Sequence, residues 1–201
     1  EVRQISEILK ENHFQVLLRT GKSGTEESFL DFSGHSPRLL HVATHGFYYT
    51  PEEASQNKYL QGFQDAMYLS GLVLSGGNMV WQGKKIPDGV LDGILTAQDI
   101  SKLDLSGTEL VVLSACKSGH GKVTSEGLYG LQRAFKKAGV QSLMMTLWPI
   151  SDRVTREFMV EFYKNLVRKN TSRRQAFDKA KSEIRSRYPE PFYWAGFILI
   201  D

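Results

Sequence analysis

The sequence predicts an α/β fold with a mostly parallel central sheet flanked by helices. Short apolar runs, bounded by polar residues or glycine, recur along the chain and are typical of buried strands. Segments with helically spaced apolar residues lie between them, and this alternation of strands and helices indicates a layered parallel sheet. With 201 residues the chain is long enough for one domain with a sizeable core, and we expect that domain to cover residues 1–201.

In the first half of the chain, turn and cap signals delimit the predicted elements. The predicted elements are a helix at Val2–Lys10, a strand at Phe14–Leu18, a helix at Thr25–Phe32, a strand at Leu39–Thr44 and a hairpin of Ala66–Val73 with Asn78–Gln82. Thr25 is a suitable N-cap, and glycines at 76 and 77 favour the hairpin turn. The polar stretch from Phe47 to Asp65 is predicted to be a long connection.

The second half has clearer helix signals. Thr96 followed by Asp99 has the spacing of an N-cap, and Gly139 is a typical stop after a helix. The predicted elements are strands at Leu110–Ala115, Ser142–Trp148 and Tyr193–Ile200, and helices at Glu126–Lys137, Asp152–Arg168 and from Thr171 or Ser172 to Arg187. Ser151 is the predicted cap of the second of these helices.

Composition excludes several classes of protein. The net charge of +3 is small and scattered, so a nucleic-acid partner is not expected. No apolar run approaches the roughly 20 residues that cross a bilayer. A single cysteine cannot form an internal disulfide, which is typical of a reducing, cytoplasmic compartment. Because the chain begins at Glu1 and enters a helical pattern at once, we expect it to be a domain cut from a longer polypeptide.

Two reactive side chains follow predicted buried strands. Cys116 comes after the run that starts at Leu110, and His45 with Gly46 comes after the run that starts at Leu39. Sites in α/β sheets lie at the carboxyl ends of strands. An imidazole lowers the pKa of a nearby thiol, and it can then protonate a leaving amine. The pattern therefore predicts a cysteine nucleophile with a histidine base.

Other interpretations of the same residues stay open. A lone cysteine in apolar surroundings is most often a core residue. His120 is close enough in sequence to compete as the partner of Cys116, whereas His41 lies in mid-strand. The segment Gly119–Lys122 does not match the P-loop pattern. Cys116 stands where that pattern has its first glycine, and Val123 stands where it has Ser or Thr. The Gly-x-Ser-x-Gly elbow of serine hydrolases is absent from the sequence. The spacing of Cys and His that metal sites require is also absent, and no metal or cofactor is expected.

Several ordered motifs together resemble the CHAT domain, a caspase-like module often found with tetratricopeptide repeats. The matching motifs are His41-Val-Ala-Thr-His45-Gly46, Val111-Val-Leu-Ser-Ala-Cys116-Lys-Ser-Gly119, the segment from Glu126 to Gly139, Thr146-Leu-Trp148-Pro-Ile-Ser-Asp152 and Tyr193-Trp194-Ala-Gly-Phe197. The resemblance covers nearly the whole chain. It implies the three-layer caspase and haemoglobinase fold, in the peptidase class that includes separase.

The resemblance also implies roles for particular residues. His45 would be the general base and acid, Cys116 the nucleophile, and the Gly46 and Cys116 N–H groups the oxyanion donors. The implied function is a cysteine endopeptidase that cleaves a protein substrate through a thioester, regulated by a repeat domain of the same chain or by a partner. The alternative is a catalytically silent interaction or scaffold module.

Asp152 is the candidate for reading the substrate. It matches the second acid of the separase pattern Trp-Asp-x-x-Asp, whose acid reads a basic residue before the scissile bond, and Pro149 replaces the first acid. A first-turn helix acid favoured by the helix dipole explains Asp152 equally well. For Asp92 and Asp99, turn and capping roles suffice.

Overall fold

A computed structural model describes residues 1–56, 60–81, 84, 89–114 and 125–201. The helices are α1 Val2–Glu11, α2 Glu26–Leu30, α3 Pro51–Ser55, α4 Ala66–Leu69, α5 Gly77–Trp81, α6 Ala97–Ile100, α7 Ser125–Lys137, α8 Asp152–Leu166, α9 Arg173–Arg187 and α10 Pro191–Trp194. The strands are β1 Leu39–Val42, β2 His45–Tyr48, β3 Ser70–Val73, β4 Ile94–Thr96, β5 Leu110–Leu113, β6 Ser142–Thr146 and β7 Phe197–Ile200.

The central sheet has the strand order β1-β5-β6-β7. β1 and β5 pair in parallel, with Leu39 opposite Leu110 and Val42 opposite Leu113. All four residues of β5 and all five of β6 are buried, as expected of strands with both faces covered. The predicted α/β class with a mostly parallel central sheet is confirmed.

A second, smaller sheet has the order β2-β3-β4 and is antiparallel. Its register places His45 opposite Val73, and Val73 opposite Ile94. The sequence did not predict this sheet, because His45 and Gly46 were placed in a loop and Phe47–Asp65 in a polar connection. Phe47 and Tyr48, which are buried in β2, have the aromatic side chains that strands favour.

Two predicted elements are wrong, and the last predicted strand is shorter than expected. The segment Phe14–Leu18 forms no strand among the described residues, and the side chains of Phe14 and Leu17 are exposed. The predicted hairpin is instead helix α4 followed by β3, because Asp65 caps α4 by accepting a hydrogen bond from the Met67 N–H at 2.9 Å. In place of the hairpin's second strand the chain forms α5, and the first residues of the last predicted strand belong to α10.

The predicted helix caps are confirmed. Each capping hydroxyl accepts a hydrogen bond from the backbone N–H three residues further on, which satisfies a donor that the helix itself leaves unpaired. The caps are Thr25 to Ser28, Thr96 to Asp99, Ser151 to Val154 and Ser172 to Gln175. Gly139 has a φ of +97°, the left-handed conformation that ends α7.

The described residues form two compact units, each with its own core. One unit comprises residues 1–18 and 144–200, and its fully buried aromatic residues include Phe158, Phe162 and Tyr163. The other comprises residues 19–143 with Asp201, and its core includes Leu72 and Leu95 from the small sheet. None of the described helices is long and apolar enough to cross a bilayer.

A buried carboxyl group joins α2 to the chain that enters β4. Glu26 accepts a hydrogen bond from the Gly93 N–H at 3.0 Å, and its neighbour Glu27 accepts one from the Leu91 N–H at 2.7 Å. Burial raises the pKa of Glu26 to about 7, and the nearby carboxylate of Asp92 acts in the same direction. The first turn of α2 therefore fixes the residues that immediately precede β4.

The close packing of the small sheet requires a glycine at position 71. A Cβ added there would lie 2.4 Å from the carbonyl oxygen of Leu95 and 2.8 Å from the ring of Phe47. We expect Gly71→Ala to lower the free energy of unfolding by about 1–3 kcal/mol, measured by urea denaturation. Gly24→Ala is the matched control, since its added Cβ would meet no atom closer than 3.7 Å. Equal stability of the two variants would contradict this account of the packing.

Glu26 should make stability depend on pH. Its pKa is raised from 4.5 to about 7, so between these values the folded chain holds a proton that the unfolded chain has released. The contribution is fully present below pH 4.5 and is lost as the pH rises through 7. Across this window the free energy of unfolding should fall by up to about 3 kcal/mol, which urea denaturation at several pH values will measure.

Glu26→Gln should remove that fall, because the amide oxygen still accepts the Gly93 N–H but cannot titrate. The control is Glu27→Gln, since the Leu91 N–H lowers the pKa of the half-buried Glu27, away from the window in which Glu26 titrates. A fall of the same size in Glu26→Gln as in the wild-type chain would show that another group is responsible.

Candidate active site

His45 is the first residue of β2, and its side chain is exposed. The predicted strand Leu39–Thr44 ends at Val42, so His45 lies in the small sheet and not in a loop, which corrects the sequence interpretation. Thr44, one residue earlier, donates a hydrogen bond from its hydroxyl to the carbonyl of Val73. His45 is therefore fixed by strand pairing at the point where the chain leaves the central sheet.

The N–H group of Gly46 faces away from the rest of the small sheet. One residue beyond β2, the Tyr49 N–H donates to the carbonyl of Leu69, the residue before β3, at 2.9 Å and continues the register of the pair. Hydrogen-bonded pairs alternate along an antiparallel ladder, so Gly46, opposite Leu72, is in a position whose backbone groups point away from β3. The structure thus brings together an exposed imidazole and an outward-facing N–H on consecutive residues.

β5 leads towards the predicted nucleophile. The Ser114 N–H, just beyond β5, donates to the Val42 carbonyl at 2.9 Å and so extends the pairing with β1. Ser114 is the last described residue of this stretch, and Cys116 lies outside the described residues. The competing His120 and the rejected phosphate loop at Gly119–Lys122 lie outside them as well.

Asp152 is the first residue of α8 and is exposed. Ser151 caps this helix, so the carboxylate occupies a position where the helix dipole favours a negative charge. Asp152 belongs to the unit of residues 1–18 and 144–200, whereas His45 and Gly46 belong to the other. The helix dipole accounts for an acid at this position, and the substrate-reading role stays a prediction.

Two of the C-terminal motifs contact each other. The indole N–H of Trp148 donates to the Phe192 carbonyl at 2.8 Å, and the two rings stack with their centroids 6.3 Å apart. Gly196 lies under the indole, where an added Cβ would be 2.7 Å from the ring. These contacts fix the chain between β6 and α8, which carries Asp152.

The remaining candidates have local explanations. His41 is half-buried within β1, and His13 and His35 are exposed. Asp92 accepts the Ile94 N–H at 2.7 Å, and Asp99 lies in the Thr96 cap, as predicted. In the part of the chain that the structure describes, no group of three or more His, Cys, Asp or Glu side chains could hold a metal ion.

Glu26 is a residue that the sequence analysis missed. Its partner Gly93 directly precedes Ile94, and Ile94, Val73 and His45 form one row across the small sheet. The Glu26 carboxyl therefore binds the backbone one residue before Ile94, which is at the opposite end of the row from His45. In the sequence Glu26 is indistinguishable from an ordinary first-turn acid, so no local signal marks its burial.

The comparisons with known proteins agree with the motifs. The chain is 37% identical over 109 residues to tetratricopeptide repeat protein 28 of Mus musculus, and 35% identical over 109 residues to the Homo sapiens protein of that name. Each match covers 53% of this chain but only 4% of the relative's length. All of residues 1–201 match the family described as the CHAT domain. The chain therefore belongs to the caspase-like CHAT domain family.

Proposed function

We propose that this domain is a cysteine endopeptidase that cleaves a protein substrate, with His45 and Cys116 as its catalytic dyad. His45 takes the thiol proton of Cys116, and the thiolate attacks the scissile carbonyl. The N–H groups of Gly46 and Cys116 donate to the resulting oxyanion. His45 then protonates the leaving amine, and it next activates a water that hydrolyses the thioester.

The register of the central sheet is the observation that carries this proposal. Val42 and Leu113 are opposite each other in the parallel pair of β1 and β5. His45 follows Val42 by three residues, and Cys116 follows Leu113 by three residues. Parallel strands carry their following segments at the same edge, so equal spacing from a shared register favours two residues that act together.

The orientation of Gly46 supports the oxyanion role. An oxyanion donor must point its N–H at the reacting carbonyl and must not be used by the protein's own ladder. The position of Gly46 opposite Leu72 meets the second condition on the β3 side. An extended substrate segment running along the outer edge of β2 would bring its carbonyl towards this N–H and towards His45.

The proposed setting is a reducing compartment such as the cytoplasm, in which a single thiol stays reduced. The named relatives are tetratricopeptide repeat proteins, and the chain matches about 4% of their length. We propose that a repeat domain of the full-length protein, or a partner bound to it, regulates access to the site. The protein substrate is recognised as an extended segment at the β2 edge.

Labelling with a thiol-directed peptide electrophile tests the dyad. We expect His45→Ala to slow labelling of Cys116 by about 10²–10⁴-fold, because the thiol loses its general base. Mass spectrometry measures the rate, and Cys116→Ser should give no adduct. The control is His35→Ala, an exposed histidine outside the site, which should label at the wild-type rate. Equal labelling of His45→Ala and the wild-type chain would contradict the dyad.

The same measurement distinguishes the alternative function. The second candidate is a silent interaction or scaffold module, and the relatives named above are tetratricopeptide repeat proteins. A scaffold requires neither reactive side chain. Slow labelling that is independent of His45, together with intact partner binding in Cys116→Ala, would support the scaffold.

Asp152 should determine the residue that precedes the cleaved bond. The Asp152→Asn variant keeps the size of the side chain and its helix position, so it isolates the charge. We expect the preference for a basic residue to fall by roughly 10-fold or more in kcat/KM across a peptide library, since an ion pair is lost. Asp178→Asn, an exposed helix acid of α9, is the control. An unchanged preference would leave Asp152 as a helix acid only.

A further inference from the structure

β7 is the terminal strand of the central sheet among the described strands. Its sequence, Phe197-Ile-Leu-Ile200, is apolar and has neither a charge nor a proline. Edge strands of this composition pair readily with other strands, and natural proteins usually block them with charged residues, bulges or coverage. β7 has no such protection within its own sequence, so any protection has to come from another element.

The outward-facing groups of β7 follow from one hydrogen bond. The Leu147 N–H, next to β6, donates to the Gly196 carbonyl at 2.9 Å, so that carbonyl points towards β6. Backbone groups of successive residues in a strand point to opposite sides. The carbonyls of Phe197 and Leu199 therefore point away from β6, towards the outer edge of the sheet.

Both outward carbonyls accept hydrogen bonds from cationic side chains of α9. Lys181 Nζ donates to the Phe197 carbonyl at 3.0 Å, and Arg174 Nη2 donates to the Leu199 carbonyl at 3.0 Å. Hydrogen bonds from charged donors are stronger than those between neutral groups. The acceptors that an added strand would need are thus already occupied along β7.

A packed aromatic side chain positions the two cations. Arg174, Phe177 and Lys181 lie on one face of α9, and both cations approach the Phe177 ring, at 5.8 Å and 5.4 Å from its centroid. The buried Phe177 contacts Phe158 edge to face, with centroids 5.7 Å apart, and Phe158 stacks on Phe197 of β7 itself. The capping side chains are therefore anchored to the strand that they cap.

We infer that Arg174 and Lys181 close the β7 edge to strand addition, and that the partner they exclude is a second copy of this chain. Two β7 strands from different copies can pair antiparallel, because such a strand is its own complement about a two-fold axis. Pairing would break both capping hydrogen bonds and would place two cations of each copy beside those of the other. This inference is independent of the proposed peptidase function.

Replacing both cations by methionine tests the inference. Arg174→Met with Lys181→Met removes the donors but keeps the aliphatic contact with Phe177. We expect the variant to self-associate as its concentration rises. Its dissociation constant for self-association should be roughly tenfold or more below that of the wild-type chain. Sedimentation equilibrium measures the association, and hydrogen exchange should show new protection at the Phe197 and Leu199 amides.

The matched control replaces Lys169 and Lys179, two exposed lysines, with methionine. It makes the same change in net charge and also introduces two methionines, and it should stay as monomeric as the wild-type chain. Arg174→Lys with Lys181→Arg keeps both donors and should also stay monomeric. If the double methionine variant does not fold, the single variant Lys181→Met is tested in its place. Hydrogen exchange should then show new protection of its Phe197 amide.

Three outcomes would overturn the inference. The folded variant could remain monomeric throughout the concentration series, or it could associate no more tightly than the Lys169 and Lys179 control. Wild-type self-association with protection of the Phe197 amide would also contradict it, since the edge would then be open with its caps in place.

Discussion

The parallel pairing of β1 with β5 is the constraint on which the candidate site depends. Leu40 and Val42 of β1 are buried, and every residue of β5 is buried, so the register cannot slip without exposing apolar side chains. The hydrogen bond from Ser114 to the Val42 carbonyl continues this register past the strand end. The two chain segments that lead to the proposed catalytic residues therefore start from the same line across the sheet.

The pairing of β2 in the small sheet then fixes the position of His45. Because β2 begins at His45, strand pairing restricts the backbone of this residue while its side chain remains exposed. The opposite end of the same row, Ile94, follows a junction that contains a buried carboxyl with a pKa of about 7. The stability of this end of the sheet is thus coupled to protonation near neutral pH.

The sequence predicted the features whose determinants are local. A capping hydroxyl such as that of Thr96 or Ser172 lies three residues from the N–H it binds, so a short pattern contains the whole interaction. β2 was missed because its partner β3 is distant in sequence, with helices α3 and α4 between the two strands. The burial of Glu26 was invisible for the same reason, since Asp92 and Gly93 come from a remote segment.

The outer edges of β2 and β7 differ in how their backbone groups are used. At β2 the register turns the Gly46 N–H outward, whereas at β7 the outward carbonyls of Phe197 and Leu199 already accept hydrogen bonds from α9. An extended polypeptide gains affinity at a sheet edge through such main-chain groups. A strand-like ligand at β7 would have to displace two charge-assisted hydrogen bonds, whereas β3 does not engage the Gly46 N–H at β2. This difference is why the proposed peptide substrate is assigned to the edge that carries His45.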